Sequence, residues 1–177
     1  MTNAPAPQPQ PTQPQTAPAK KDRSRFYIIG GGCVGCLVLV GILLVFIGVP
    51  AFMTYIKKSK SMEARSNLSA LSQLVEQECT AQGGYTGIVP AGPVPPTPPA
   101  SSQATGAFAN DPGFARVGFA PNPVVYSYAI RPNASGGVDL VAQGDLDGDG
   151  VRSTFTVACD ASCQCATEAM SIMDELE

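Results

Sequence analysis

Histidine and tryptophan are both absent from the 177 residues of this chain, and charged side chains make up only 14% of it. Without imidazole the chain lacks the commonest general base, the commonest zinc ligand and every Ser-His or Cys-His nucleophile pair. Most hydrolase and metalloenzyme chemistries lose their means at once, and the expectation is a protein that is not an enzyme. Positive charge is scarce too in the second part of the chain. Beyond Arg65, three arginines (Arg116, Arg131 and Arg152) stand against twelve carboxylates. So acidic a region repels phosphate backbones, which excludes nucleic acid as a partner.

Seven of the eleven basic residues (Lys20, Lys21, Arg23, Arg25, Lys57, Lys58 and Lys60) flank one hydrophobic run. No charge interrupts Phe26 to Ile56, and Cys33 to Val49 is almost wholly apolar. A run of about 30 residues exceeds the roughly 20 needed to cross a hydrocarbon core, so 26–56 is expected to be a single membrane-spanning helix. It is too long for the apolar core of a secretory signal peptide, and no small-residue cleavage pattern follows it. Basic residues on both sides leave the orientation undecided by charge. The cysteines favour one answer: Cys79, Cys159, Cys163 and Cys165 form an even set in a small domain, which suits disulfides in an oxidising compartment. The N-terminus is therefore expected inside and the C-terminal domain outside. Gly31 and Gly35 form a G-x-x-x-G pair that, with Gly41, would let another helix approach closely, so self-association is one reading and ordinary membrane-helix glycine the other. Cys33 and Cys36 have C-x-x-C spacing, but at a membrane boundary they are read as packing or acylation sites.

Outside the span the composition changes three times. Residues 1–25 begin with a Pro/Gln-rich stretch that has too little apolar surface to offset the entropy of ordering, and a disordered cytoplasmic tail is expected. Residues 57–82 keep a helical rhythm, with Met62, Leu68, Leu71, Leu74, Val75 and Cys79 on one face and Lys60, Glu63, Arg65, Glu76 and Glu78 on the other. Span and amphipathic stretch are expected to form one helix, kinked by Pro50 near Phe46–Pro50 and ended by Gly83 and Gly84. Residues 83–113 are too rich in proline for helix or inner strand and are expected to be a loop. Within 114–177 four strands are expected, at Phe114–Phe119, Val124–Ile130, Val138–Ala142 and Ser153–Ala158, with a short terminal helix over 166–176 that turns Met170, Met173 and Leu176 toward the core. The fold class is α+β: a long N-terminal helix continuing into a small antiparallel sheet domain.

The residues of this layout carry a likeness of their own. VPAFMTYIKKSKSMEARSNLSAL (Val49–Leu71), PGFARVGFAPNPVVYSYAI and GDLDGDGVRSTFTVAC resemble, in that order, the membrane exit and globular region of type IV pilins and pseudopilins. The resemblance implies a structural, non-catalytic subunit of the inner membrane, with a periplasmic or extracellular head. It would assemble through its helix with other pilin-like subunits or a secretion or pilus assembly complex. The family's prepilin cleavage signature is missing, however. Where its mature start would fall, near Ile29, the chain reads IGGGC, and Cys33 stands near the place of the family's membrane glutamate. The alternative is a non-filamentous, membrane-anchored exported domain that binds a ligand or partner protein.

Two candidate sites remain. Asp145, Asp147 and Asp149 stand at alternate positions before Gly150, like the first half of a calcium loop, but the twelfth loop position is Thr156 in place of a bidentate glutamate. The competing reading is a plain turn between two strands. Some pseudopilins bind calcium in this region, so the resemblance adds weight to the ion. Of the four outer cysteines, Cys163 and Cys165 are too close for an easy mutual bond, and Cys79 joined to one of the other three would fasten sheet to helix. A zinc site of four thiolates is the rival.

Overall fold

The computed structural model describes residues 35–100 and 102–176; the expected tail, the start of the span, Gly31 and Cys33 lie outside them. One helix, Gly35–Gln82, is long and apolar enough to cross a membrane. The chain divides into two units at Phe46/Ile47. In the first, the described backbone from Gly35 onward is helical, and large side chains from Leu37 to Phe46 are exposed. Where the sequence predicts a kink, residues Leu44–Gly48 are π-helical. The cause is Pro50, which has no N–H to give to the carbonyl four residues back and whose ring presses on it; a wider turn relieves both.

The second unit is built on helix α1, Val49–Gln82. Its buried face is Ser61, Ala64, Leu68, Leu71, Ser72, Val75 and Cys79, a stripe at the three- and four-residue spacing of a helix. Met62, expected on this face, is 58% exposed. It sits one residue, and so about 100° of helix rotation, off the stripe. Its expected place is taken by Ser61, whose hydroxyl donates to Lys58 O. Gly83 ends the helix in the left-handed region (φ 71°), as predicted, and the Gly84 N–H closes the turn on Cys79 O.

A five-stranded antiparallel meander packs on this helix, in the order β1 (Ala91–Val94), β2 (Ser127–Pro132), β3 (Val138–Gly144), β4 (Ser153–Cys159) and β5 (Ser171–Met173). β3 and β4 fall where the sequence places them; β2 starts three residues later than expected. Both faces of its alternating segment are buried, Tyr126, Tyr128 and Ile130 on one side and Val125, Ser127 and Ala129 on the other. The Pro-rich segment reaches the second face, where Pro95 O accepts from the Ser127 hydroxyl.

Three expectations are corrected. The 83–113 segment is not all loop, because it supplies β1 and a 3₁₀ turn at Phe108–Asn110. Proline is tolerated in β1 because the strand lies at the sheet edge. Gly92 lets it lie close to β2: its φ is +73°, and a Cβ there would meet Tyr128 O at 2.3 Å. The predicted strand Phe114–Phe119 is instead a short helix, α2, Pro112–Val117. Asp111 caps it by accepting from Gly113 N (3.0 Å) and Phe114 N (3.1 Å), Pro112 suits its first turn, and Gly118 leaves it at φ 71°. Phe114 is thereby brought to Phe108 (centroids 5.3 Å apart), and Phe119 packs on Tyr128 (5.5 Å). The predicted terminal helix is a 3₁₀ turn, Thr167–Ala169, followed by β5, with Met173 63% exposed and not in the core. The free edge of β4 offers N–H and C=O groups that a strand satisfies and a helix would not.

Candidate functional site

The head is fastened to α1 at successive heights, which fixes where each candidate residue lies. Lys57 Nζ donates to Asp147 Oδ2 at 2.7 Å, in the loop between β3 and β4. Arg65 Nη2 meets Glu175 Oε1 at 2.7 Å, and its guanidinium lies 5.6 Å from the Phe155 ring centroid. Higher on the helix, Glu76 Oε1 accepts from Cys165 N at 2.7 Å, and Cys79 is bonded to Cys163. The β3–β4 loop is thus the end of the head nearest the apolar run, and the cysteines are at the far end.

These contacts correct the placing of Glu63, Arg65, Glu76 and Glu78 on the side of the helix opposite its apolar face, since all four reach the head. Glu78 pairs with Arg116 of α2 at 2.8 Å, and Glu63 Oε1 accepts from Val125 N (2.9 Å) and the Tyr128 hydroxyl (3.3 Å). Asn67 Nδ2 in turn donates to Tyr128 Oη at 2.8 Å. Burial pushes the Glu63 carboxyl above the usual carboxylate range, while its hydrogen bonds from Val125, Tyr128 and Tyr126 oppose the shift. Burial likewise pushes the Tyr128 hydroxyl far up, so it stays protonated as the donor. Segments that enter and leave strands carry N–H groups no ladder pairs, and acidic residues flanking the buried stripe of α1 satisfy them. A helical wheel marks those positions but cannot show that a loop will reach them.

Asp145, Asp147 and Asp149 do come together, with one oxygen from each lying within 4.8 Å of the others. Turn hydrogen bonds already engage them. Asp145 accepts from Gly148 N (2.7 Å) and Gly150 N (3.2 Å), and Asp149 Oδ1 accepts from Val151 N at 2.7 Å. The Lys57 ammonium beside Asp147 holds that carboxyl below its usual range. Three carboxylates in this arrangement can take a hard divalent cation, calcium being the candidate, and an ion bound there competes directly with Lys57. The geometry satisfies the turn reading without an ion.

The cysteines pair as Cys79–Cys163 and Cys159–Cys165, 84 and 6 residues apart. One bond fastens the C-terminal segment to the helix, as one expectation has it, and zinc is left no thiolate among the four. No protein-family model, no curated protein and no solved structure matches the chain. Of the membrane-helix candidates, a Cβ placed at Gly35 or Gly41 would meet nothing within 4 Å, and Cys36 is a free, exposed thiol.

Proposed function

We propose that this chain is a structural, non-catalytic subunit of the type IV pilin-like or pseudopilin-like kind. Its apolar helix holds it in the inner membrane, its head lies on the periplasmic or outer side, and it assembles through the helix with other pilin-like subunits or with a secretion or pilus assembly complex. One observation carries the reading: the element with the apolar run also supplies the head's core, since Ala64, Leu68, Leu71, Val75 and Cys79 of α1 are all 0% exposed beneath the sheet. A tether needs no such arrangement, because a flexible linker would hold a separate domain as well. A helix that also forms the head's core needs a reason beyond tethering, and packing of subunits through that helix supplies one.

Missing cleavage and membrane-glutamate features favour a second reading, a permanently anchored, non-filamentous exported domain that binds a ligand or partner. Shearing cells and measuring the intact mass of the recovered and membrane-extracted protein separates the two. The subunit reading expects the chain in the sheared filament or in a detergent-stable complex with pilin-like partners. Recovery solely as a small, detergent-extracted species of uncut mass would reject it in favour of the anchored domain.

A further inference from the structure

Lys57 is the first charged residue after the uncharged run, and Ile47–Ile56, the last part of that run, belongs to the same compact unit as the head. In this stretch Ile47, Phe52 and Tyr55 are 65%, 61% and 71% exposed, so the head leaves them uncovered. Tyrosine and lysine following an apolar helix mark the interface, with the aromatic ring at headgroup depth and the ammonium beyond it. Lys57 is two residues past Tyr55, about 3 Å along the axis, and helical side chains lean back toward the N-terminus. The headgroup layer on each side is about 5–8 Å thick. Asp147, bonded to the Lys57 ammonium at 2.7 Å, therefore comes down with its loop to the depth of that layer.

A second observation, independent of that depth, is where the head exposes apolar side chains. Beyond the apolar run the large exposed hydrophobics among the described residues are Met62, Val151 and Met173, at 58%, 46% and 63%. All three belong to this one end. Val151 is in the β3–β4 loop, Met173 pairs with Thr154 at the start of β4, and Met62 lies five residues past Lys57. Met62, Tyr55, Lys58 and Ser59 line a shallow groove of about 250 Å³. Exposed Arg152 makes no hydrogen bond or ion pair with the described residues, and Lys58 is exposed as well. Apolar side chains interleaved with exposed cations fit the boundary of a phospholipid layer, where phosphates meet the first methylenes.

We propose that this end of the head is a lipid-contacting face: the β3–β4 loop and the edge at Met173 rest on the headgroup layer of the bilayer that α1 leaves. Val151 and Met173 face the headgroup layer, and lipid phosphates bind Arg152 and Lys58. The head is then held at the membrane by the helix exit and by a second support beside it, which restrains its tilt. The inference rests on the membrane-anchored reading and is tested so that the two can fail separately.

The full chain with Cys33→Ser and Cys36→Ser is given one reactive thiol at a time, by Met53→Cys, Val151→Cys or Gln73→Cys, each at an exposed position. The four disulfide-bonded cysteines do not react with a thiol-directed fluorophore. Each labelled protein is reconstituted into phosphatidylethanolamine and phosphatidylglycerol vesicles with and without a headgroup-nitroxide lipid. The expected result is loss of fluorescence at 53 and at 151 but none at 73, about 24 Å of helix beyond Lys57. Quenching at 53 with a 151 label as bright as that at 73 overturns the lipid-contacting face while leaving the anchor intact. No quenching at 53 removes the anchor, and the inference with it.

Discussion

Removing each disulfide in turn tests whether the head is stabilised by chain connectivity or by local contact, because the two bonds differ far more in loop length than in surroundings. Cys79–Cys163 closes a loop of 84 residues and Cys159–Cys165 one of 6. In the chain-entropy account, losing the first costs about 4.5 kcal/mol and losing the second about 2 kcal/mol. Alanine pairs also leave cavities, but those nearly cancel in the comparison: Cys79 is 0% and Cys159 1% exposed, while Cys163 and Cys165 are each half-buried. The variants Cys79→Ala/Cys163→Ala and Cys159→Ala/Cys165→Ala are compared as full chains in non-ionic detergent, with urea unfolding followed by the fluorescence of the five tyrosines. The long-loop variant should be less stable by about 2–3 kcal/mol, a midpoint difference of roughly 1–2 M at the slopes usual for small domains. Equal destabilisation, or a larger loss from the short loop, refutes the connectivity argument and assigns the stability to contacts around Cys159.

Glu63 gives a pH signature of definite sign. Burial raises its folded-state pKa above the ordinary value of 4.5, so its contribution is fully present below that value and is lost as pH rises through the folded one. Glu63→Gln, which keeps an oxygen for the Val125 N–H, should flatten the urea midpoint over that window, whereas Glu63→Ala leaves the N–H unpaired and should lose about 1–3 kcal/mol at pH 7. Glu175 has the opposite sign, because the Arg65 guanidinium lowers its pKa; its contribution is present above the ordinary value, lost as pH falls through the folded one, and absent from Arg65→Met. Gly92→Ala should lose more than about 2 kcal/mol of stability, since a positive φ and a clash with Tyr128 O act together; a wild-type melting midpoint would refute it. If calcium binds the Asp145–Asp149 loop it must displace Lys57, so Lys57→Ala should enlarge the calcium-dependent rise in midpoint. An unchanged or smaller rise refutes the competition with Lys57, and no calcium-dependent rise in either protein is the outcome expected of the turn alone.

The sequence displayed most plainly the features set by long patterns. The uncharged run, the stripe through Leu68, Leu71, Val75 and Cys79, and the β3–β4 hairpin around Asp-Gly all extend over enough residues for periodicity to speak. Short elements were decided by residues outside any period. Asp111-Pro112 is a helix start, with a capping side chain followed by proline in the first turn, yet the Val and Phe residues beyond it favoured strand. The C-terminal segment has good helix formers in Glu168, Ala169 and Met170, but the Cys159–Cys165 bond turns the chain back beside the open edge of β4 and pairing wins. The cysteine pairing itself was open to several solutions, because it depends on which strand end lies against which turn of α1. At the acidic loop the three aspartates were legible and the role of Lys57 was not: 90 residues separate it from Asp147, and only the packed head brings them together.

On the proposed subunit reading the head has to resist force along α1, and the order of contacts on that helix bears on how it would do so. Tension applied through the helix first loads Lys57–Asp147 and Arg65–Glu175, two partly exposed ion pairs that are individually weak, worth about 1 kcal/mol or less. Next in line is the buried stripe from Ala64 to Val75, which must slide as a whole along the sheet because its side chains interdigitate. At the far end the Cys79–Cys163 bond closes the path covalently. Pulling α1 out of the head therefore cannot proceed by successive small losses alone, since the last link in the series is covalent. The covalent loop runs from Cys79 to Cys163, so the stripe from Ser61 to Val75 lies outside it and bears the load before the bond does. A bond near Lys57 would take the load first and leave the stripe unloaded, so with the bond at Cys79 it is the packed stripe that resists small displacements of α1, and the bond acts only after the stripe has slipped.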